Sequence, residues 1–181
     1  MQPRGVIVFG AAGSGTTTIG RSLAQQLRLT HIDVDAYSWQ DLDTPKAGRI
    51  PHAQRVPALQ KAIANSPGFV MSGSICGWGD VFIPLLDLAV FVYTPTDIRL
   101  QRLREREYGQ FGKRVAEGGD MYERFCWFIE YAGKYDTGSP PIRCRELHEE
   151  WIKQLPCPVV RVDGTEPIEK NITDIIDTFA K

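Results

Sequence analysis

The stretch Gly5 to Thr18, GVIVFGAAGSGTTT, constrains this chain more than any other. Val6-Ile7-Val8-Phe9 is a continuous apolar run, the pattern of a strand buried on both faces of a parallel sheet. It breaks into a turn punctuated by Gly10, Gly13 and Gly15, then into a helical pattern. A glycine-rich turn between strand and helix gathers backbone N–H groups, and the helix N-terminus adds the positive end of its dipole. Gly10, Gly15 and Thr17 fit the phosphate-binding pattern G-x-x-x-x-G-K-[ST], with Thr16 where the pattern has lysine. The expected anion cradle is Gly10, Ala11, Ala12, Gly13, Ser14, Gly15, Thr16, Thr17 and Thr18, made mostly of backbone. Thr17 holds the position whose hydroxyl ligates magnesium in this pattern.

The chain has 181 residues, enough for one domain with a full core, and residues 1–181 read as a single domain. A net charge of −1 gives no footprint for nucleic acid or a membrane surface. Cys76, Cys126, Cys144 and Cys157 are scattered, which argues against a disulfide framework or a zinc site. The first strand begins within five residues, so no signal peptide is expected, and the apolar stretch Val81–Tyr93 is interrupted by Pro84 and Asp87. A cytoplasmic protein, monomer or homodimer, is the expectation.

After the loop, Ile19, Leu23 and Leu27 recur every four residues and predict an amphipathic helix over Thr16–Arg28. His31-Ile32-Asp33-Val34-Asp35 reads as a short strand. Residues two apart in a strand share a face, so Asp33 and Asp35 can point into one site at the carboxyl rim of the sheet. One carboxylate could hold magnesium and the other could accept a proton from a substrate hydroxyl. A solvated turn after the strand is the plainer alternative.

Residues 36–52 read as a covering loop or a surface connection, and Ala53–Asn65 as a helix. Gly68–Met71 is a third strand ending in Ser72-Gly73-Ser74, where small residues let a ligand approach the backbone. Asp80 is either a substrate or metal contact or the N-cap of the short segment Val81–Leu86. Leu88–Tyr93 predicts a central strand. In the helix that follows, Arg99, Arg102 and Arg106 share one face, which reads as a phosphate clamp or a solvated charged surface. Tyr108–Gly119 has the glycine content of a flexible flap. Asp120–Tyr135 predicts a helix whose stripe Met121, Phe125, Phe128, Ile129, Ala132 reads as core. His31, His52 and His148 read as surface or packing residues. A helix to about Gln154, a strand over Pro158–Val162 and a terminal helix complete an α/β domain of five strands.

The run GAAGSGTTTIGRSLAQQL followed by H-I-D-V-D resembles the small P-loop kinases of the adenylate kinase and shikimate kinase group. Ser72-Gly73-Ser74 lies where shikimate kinases have a glycine-rich substrate loop. Arg102-Leu103-Arg104-Glu105-Arg106 resembles the arginine-rich lead into a lid, and Val162-Asp163-Gly164 the last strand and adenine-side loop. The chain is also similar to an adenylate-kinase-related subgroup with threonine in place of the loop lysine. The resemblance implies a P-loop NTPase fold: a five-stranded parallel sheet of order 2-3-1-4-5 flanked by helices, with a small helical lid at about 107–140. It implies ATP on the loop and Gly164, Mg²⁺ on Thr17 and Asp33, and an acceptor at Asp35, Gly73, Ser74 and Arg49. Asp35, Arg102, Arg104 and Arg106 would be catalytic. Thr16 leaves one charge to be replaced, by Lys46, Lys113, Arg104 or Arg106. The function implied is phosphoryl transfer from a nucleoside triphosphate to a nucleotide, nucleoside or shikimate-like metabolite. The alternative is a nucleotide-binding regulatory module with weak or lost kinase activity.

Overall fold

The structure is a computed structural model that describes residues 4–45 and 48–180. Strand β1 (Gly5–Gly10) is buried at every position. It lies between β3 (Phe69–Ser72) and β4 (Leu88–Tyr93), and all strand pairs are parallel in a five-stranded sheet of order β2-β3-β1-β4-β5. β2 is Thr30–Asp33 and β5 is Val159–Asp163. Because side chains alternate across a strand, Val6 and Val8 join one core layer while Ile7 and Phe9 join the other. This two-sided burial is why β1 lacks an alternating polar pattern.

One layer is covered by α1 (Thr16–Leu27) and α6 (Ile168–Ala180), through Ile19, Leu23, Ala24 and Ile175. Each fully buried leucine or isoleucine contributes about 1.5–3 kcal/mol, more than helix propensity supplies to an isolated helix of this length. The other face carries α2 (His52–Ala64) and α5 (Arg145–Ile152), through Leu59 and Trp151. α3 (Thr96–Phe111) and α4 (Tyr122–Gly133) stand beyond β4 and pack on each other.

This strand order leaves a crevice at the carboxyl ends of β1 and β3, because the chain leaves β1 for β2 on the far side of β3. Asp33 pairs with Ser72, and Ser72 with Val8, so three strands end at one rim.

Three expectations change. First, the strand predicted over His31–Asp35 stops at Asp33, where a 3-10 turn begins (Val34–Tyr37). The Asp33 carboxylate accepts the Asp35 N–H at 3.1 Å, and this Asx-type bond closes the turn before a fifth strand residue can form. Second, the predicted flap over Tyr108–Gly119 is helical through Phe111 and continues as a 3-10 turn over Gly112–Val115. Phe111, Val115 and Met121 bury one another there, an apolar anchor that outweighs the local glycines. Third, the segment after β2 folds back on itself: Trp39 and Arg49 form an antiparallel bridge, and Gln40 N–H donates to Gly48 O at 2.9 Å.

Candidate active site

The loop between β1 and α1 is shaped by glycines with positive φ. Gly13 has φ 81° and Gly15 φ 99°. At Gly13 a β-carbon would stand 2.6 Å from the Arg99 carbonyl oxygen, so only glycine fits both the conformation and the space. No side chain caps α1, and its first turn has no acidic residue. The open N–H groups and dipole end therefore face the cavity lined by Ala12, Gly13, Gly15, Thr16, Thr17 and Thr18.

Arg99 holds this loop from behind. It is fully buried and donates to Ala12 O (3.2 Å), Thr94 O (3.0 Å), Ala132 O (3.2 Å) and Thr96 Oγ1 (2.8 Å), and it pairs with Asp136 at 3.2 Å. Arg99 thus leaves the predicted clamp face: its fork is consumed by protein acceptors. Arg102 and Arg106, one and two turns on, do line the cavity. Arg102 Nη2 donates to Gly164 O at 3.0 Å, and its Nη1 is the atom nearest a β-carbon built on Gly15, at 3.9 Å. Arg106 pairs with Glu107 at 2.8 Å and sits over the Phe128 ring at 5.9 Å.

Asp33 and Asp35 line the same cavity, of about 1090 Å³. Surrounding protein raises the Asp35 pKa, and the nearby Asp33 adds to the rise. Arg143, Arg106 and Arg49 oppose it. The carboxylate is thus kept more basic than an ordinary aspartate, close to cations that would hold an anionic ligand. Arg49, Arg55 and Arg143 line this part of the cavity. Arg49 stacks on Trp39 (5.1 Å) and Arg55 on Trp78 (4.7 Å), which holds each guanidinium in a fixed plane. Arg55 is 8% exposed, and its Nε is buried without a hydrogen-bond partner. A buried donor left unpaired costs about 1–3 kcal/mol, and an arriving oxyanion would satisfy it.

A family model described as an AAA domain matches residues 6–121, from β1 to the residue before α4. The chain belongs to this AAA-domain family. It is 37% identical over 174 residues, 96% of either chain, to the uncharacterized protein YqaC of Bacillus subtilis (strain 168). It is 25% identical over 113 residues to a cytidylate kinase of Methanocorpusculum labreanum, covering 56% of this chain and 62% of that one. Among solved structures, a shikimate kinase from Bacteroides thetaiotaomicron superposes with TM-score 0.59 at 14% identity, covering 99% of both chains. A gluconokinase from Sinorhizobium meliloti 1021 does so with TM-score 0.53 at 15% identity, over 99% of this chain and 93% of that one. The fold of this AAA domain is that of the small P-loop kinases.

Several predicted site residues do not line the cavity. Arg104 is exposed on α3 and does not line the cavity. Gly73 is not among the lining residues either. A β-carbon there would stand 2.6 Å from Val34 Cγ2 and 3.7 Å from Asp35 Oδ1, so its missing side chain makes room for the Asp35 turn. Ser74 is buried, and its Oγ lies 2.9 Å from His148 Nε2. Gly164 supplies a carbonyl to Arg102 and does not line the cavity. Asp80 does not line the cavity and does not cap the turn it opens, where Gly79 holds the cap position: its carboxylate accepts from Trp151 Nε1 at 2.8 Å. Lys113 is exposed, and Lys46 lies outside the described residues.

His148 is fully buried, with Tyr135 Oη 2.8 Å from its Nδ1, and burial pushes its pKa down to about 3. The packing reading of this residue holds. His31 Nε2 lies 2.9 Å from Ser72 Oγ, and His52 Nε2 lies 2.8 Å from Trp78 O. Among the described residues, no group of three His, Cys, Asp or Glu could hold a metal ion, and no helix is long and apolar enough to cross a membrane.

Two arginines of the site are not assigned by any spacing in the sequence. Arg55 and Arg143 are basic residues outside any motif, and only their proximity to Trp78 and Asp35 in space singles them out. The α4 stripe, expected as core, is core in part: Met121 and Ala132 are buried and Phe125 packs on the Phe111–Val115–Met121 cluster. Phe125 and Phe128 also line the cavity, together with Trp127 and Tyr131 from outside the stripe. The reason is that α4 packs on α3 and not across the sheet, so one of its apolar sides has no layer above it.

Proposed function

We propose that this protein transfers the γ-phosphoryl group of ATP to a hydroxyl or phosphate oxygen of a small anionic metabolite. The observation that carries the reading is convergence: the glycine loop, Asp35 and the arginines of α2 and α3 line one cavity. The triphosphate is held by the loop N–H groups, with Arg102 on the Gly164 side. Asp35, basic and beside cations, accepts the proton of an acceptor hydroxyl as the new P–O bond forms. Arg106 neutralises charge on the transferring group and takes the place of the charge that Thr16 lacks. Arg49, Arg55 and Arg143 hold an oxyanion of the acceptor, with the unpaired Arg55 Nε as one donor. The Thr17 hydroxyl and Asp33 carboxylate, both oxygen donors lining the cavity, would hold Mg²⁺. Bound there, the ion would supply positive charge to offset that of the phosphates.

The deciding experiment follows label from γ-labelled ATP with Mg²⁺ into a panel of hydroxylated carboxylates, sugar acids and nucleoside monophosphates under single-turnover conditions. Acceptor-dependent transfer, lost in Asp35→Asn, is expected. Tight nucleotide binding without transfer to any acceptor would replace this reading with the second one, a nucleotide-binding module without catalysis, which Thr16 favours.

A further inference from the structure

The aromatic side of α4 has no place in the account above. Trp127 is 57% exposed, although it belongs to an otherwise half-buried helix. Its ring stacks on Tyr131 at 5.3 Å and 13°, so the two rings lie nearly parallel along one side of α4. Phe128 extends that surface under the Arg106 guanidinium, and all three rings line the cavity.

The wall stands on the acceptor side. Arg106, above Phe128, lines the cavity together with Asp35, whereas Arg102, one turn earlier on α3, turns to Gly164. Arg124, one turn before Trp127 and Phe128, donates to Leu42 O (2.6 Å) and Thr44 O (2.7 Å) in the segment that follows Asp35. Arg114 adds a bond to Asp43 O at 2.9 Å. Those bonds fix α4 across the same space that Arg49, Arg55 and Arg143 enter.

Resting on the acceptor site proposed above, we infer that the acceptor carries a planar aromatic ring together with its oxyanion, and that the ring lies on the wall of Trp127, Phe128 and Tyr131. An aliphatic hydroxy acid would satisfy the arginines and leave the exposed Trp127 ring in water. A ring-bearing anion satisfies both halves of the cavity, since ring faces attract by offset stacking while the guanidinium groups take the charge. Two sources share this chemistry: a nucleobase with its phosphate, and an aromatic carboxylate.

The test uses the full chain saturated with Mg²⁺ and a non-hydrolysable ATP analogue. Binding is measured by calorimetry for two matched pairs, cytidine 5′-monophosphate against ribose 5-phosphate, and 4-hydroxybenzoate against 4-hydroxycyclohexanecarboxylate, each of which carries an oxygen that can accept the phosphoryl group. The ring-bearing member of at least one pair should bind roughly tenfold tighter, and the pair that shows it identifies the source. Trp127→Ala should bring that pair to parity without weakening the ring-free member, and Trp127→Phe should keep most of the preference. Parity in both pairs, no binding of either ring-bearing probe, or a preference that survives both Trp127→Ala and Tyr131→Ala would overturn the inference. So would a Trp127→Ala variant that changes only the sedimentation state, because the wall would then be an interface between copies. Label transfer on the same probes separates the two proposals. Ring preference without transfer rejects the kinase and leaves the wall, and transfer confined to ring-free acceptors does the reverse.

Discussion

Replacing Arg99 by leucine separates a structural from a catalytic role for the arginine face of α3. The side chain is 1% exposed, and its partner Asp136 is 24% exposed. Its loss takes a donor from Ala12 O, Thr94 O and Ala132 O together, and leaves an Asp136 carboxylate whose Oδ1 already lacks a partner. Breaking a buried ion pair by removing one member costs about 3–5 kcal/mol. A domain's whole stability is about 5–15 kcal/mol, so the loss is a large share of it. With a urea slope of about 2 kcal/mol/M, the unfolding midpoint should fall by roughly 1.5–2.5 M. Asp136→Leu should cost less on its own. The Arg99→Leu, Asp136→Leu double variant should recover part of the loss, with a coupling of about 1–3 kcal/mol in the cycle. Urea denaturation followed by far-UV circular dichroism measures all three variants. A midpoint within ~0.5 M of the parent would refute the argument. So would undiminished stability with nucleotide affinity lowered tenfold or more, because Arg99 would then be gripping phosphate.

Asp35→Asn should lower single-turnover transfer by about 10²–10⁴-fold, and at neutral pH it should also make the protein more stable. The sign follows from the raised folded-state pKa: the stabilisation linked to protonated Asp35 is full below the unfolded value and is lost as pH rises through the folded one. A neutral amide avoids that loss, and thermal melts at pH 7 check it. His148 behaves in the opposite sense. Its pKa falls from 6.5 to about 3, so the unfolded chain binds the extra proton and stability declines as pH drops from about 6.5 towards 3. In His148→Phe the acid decline over that window should be shallower, and an unchanged slope would count against burial as the cause. Arg106→Ala should slow transfer by roughly 10²–10³-fold, and Thr16→Lys in the same chain should restore most of it. Failure of that rescue would mean that Arg106 does not stand in for the loop lysine.

Much of the fold was legible because its signals are local. The apolar run of β1, the spacing of Ile19 and Leu23 on α1 and the run Leu88–Tyr93 each report burial within one element. The sheet order was legible through the loop pattern and the family it resembles. What misread was set by competition between local preference and distant partners. Asp33 ended its strand early because its own side chain closes a turn on Asp35. The glycines of 109–119 did not make a flap because Phe111 and Val115 found Met121.

The sequence by itself determined that a glycine loop follows a buried strand, that two carboxylates come after the next helix, and that the loop lacks its lysine. These depend on residue order and short-range geometry alone. Only the tertiary structure decided that Arg99 is a bolt while Arg102 and Arg106 face the cavity, because helical spacing puts all three on one side and packing against Asp136 and Ala12 removes the first. It alone brought Arg49, Arg55 and Arg143 into one cavity with Asp35 from three different segments, and left Trp127, outside the predicted apolar stripe, exposed on that cavity beside Phe128 and Tyr131. Periodicity shows that a face is apolar. Whether protein or ligand covers that face depends on how elements far apart in the chain pack together.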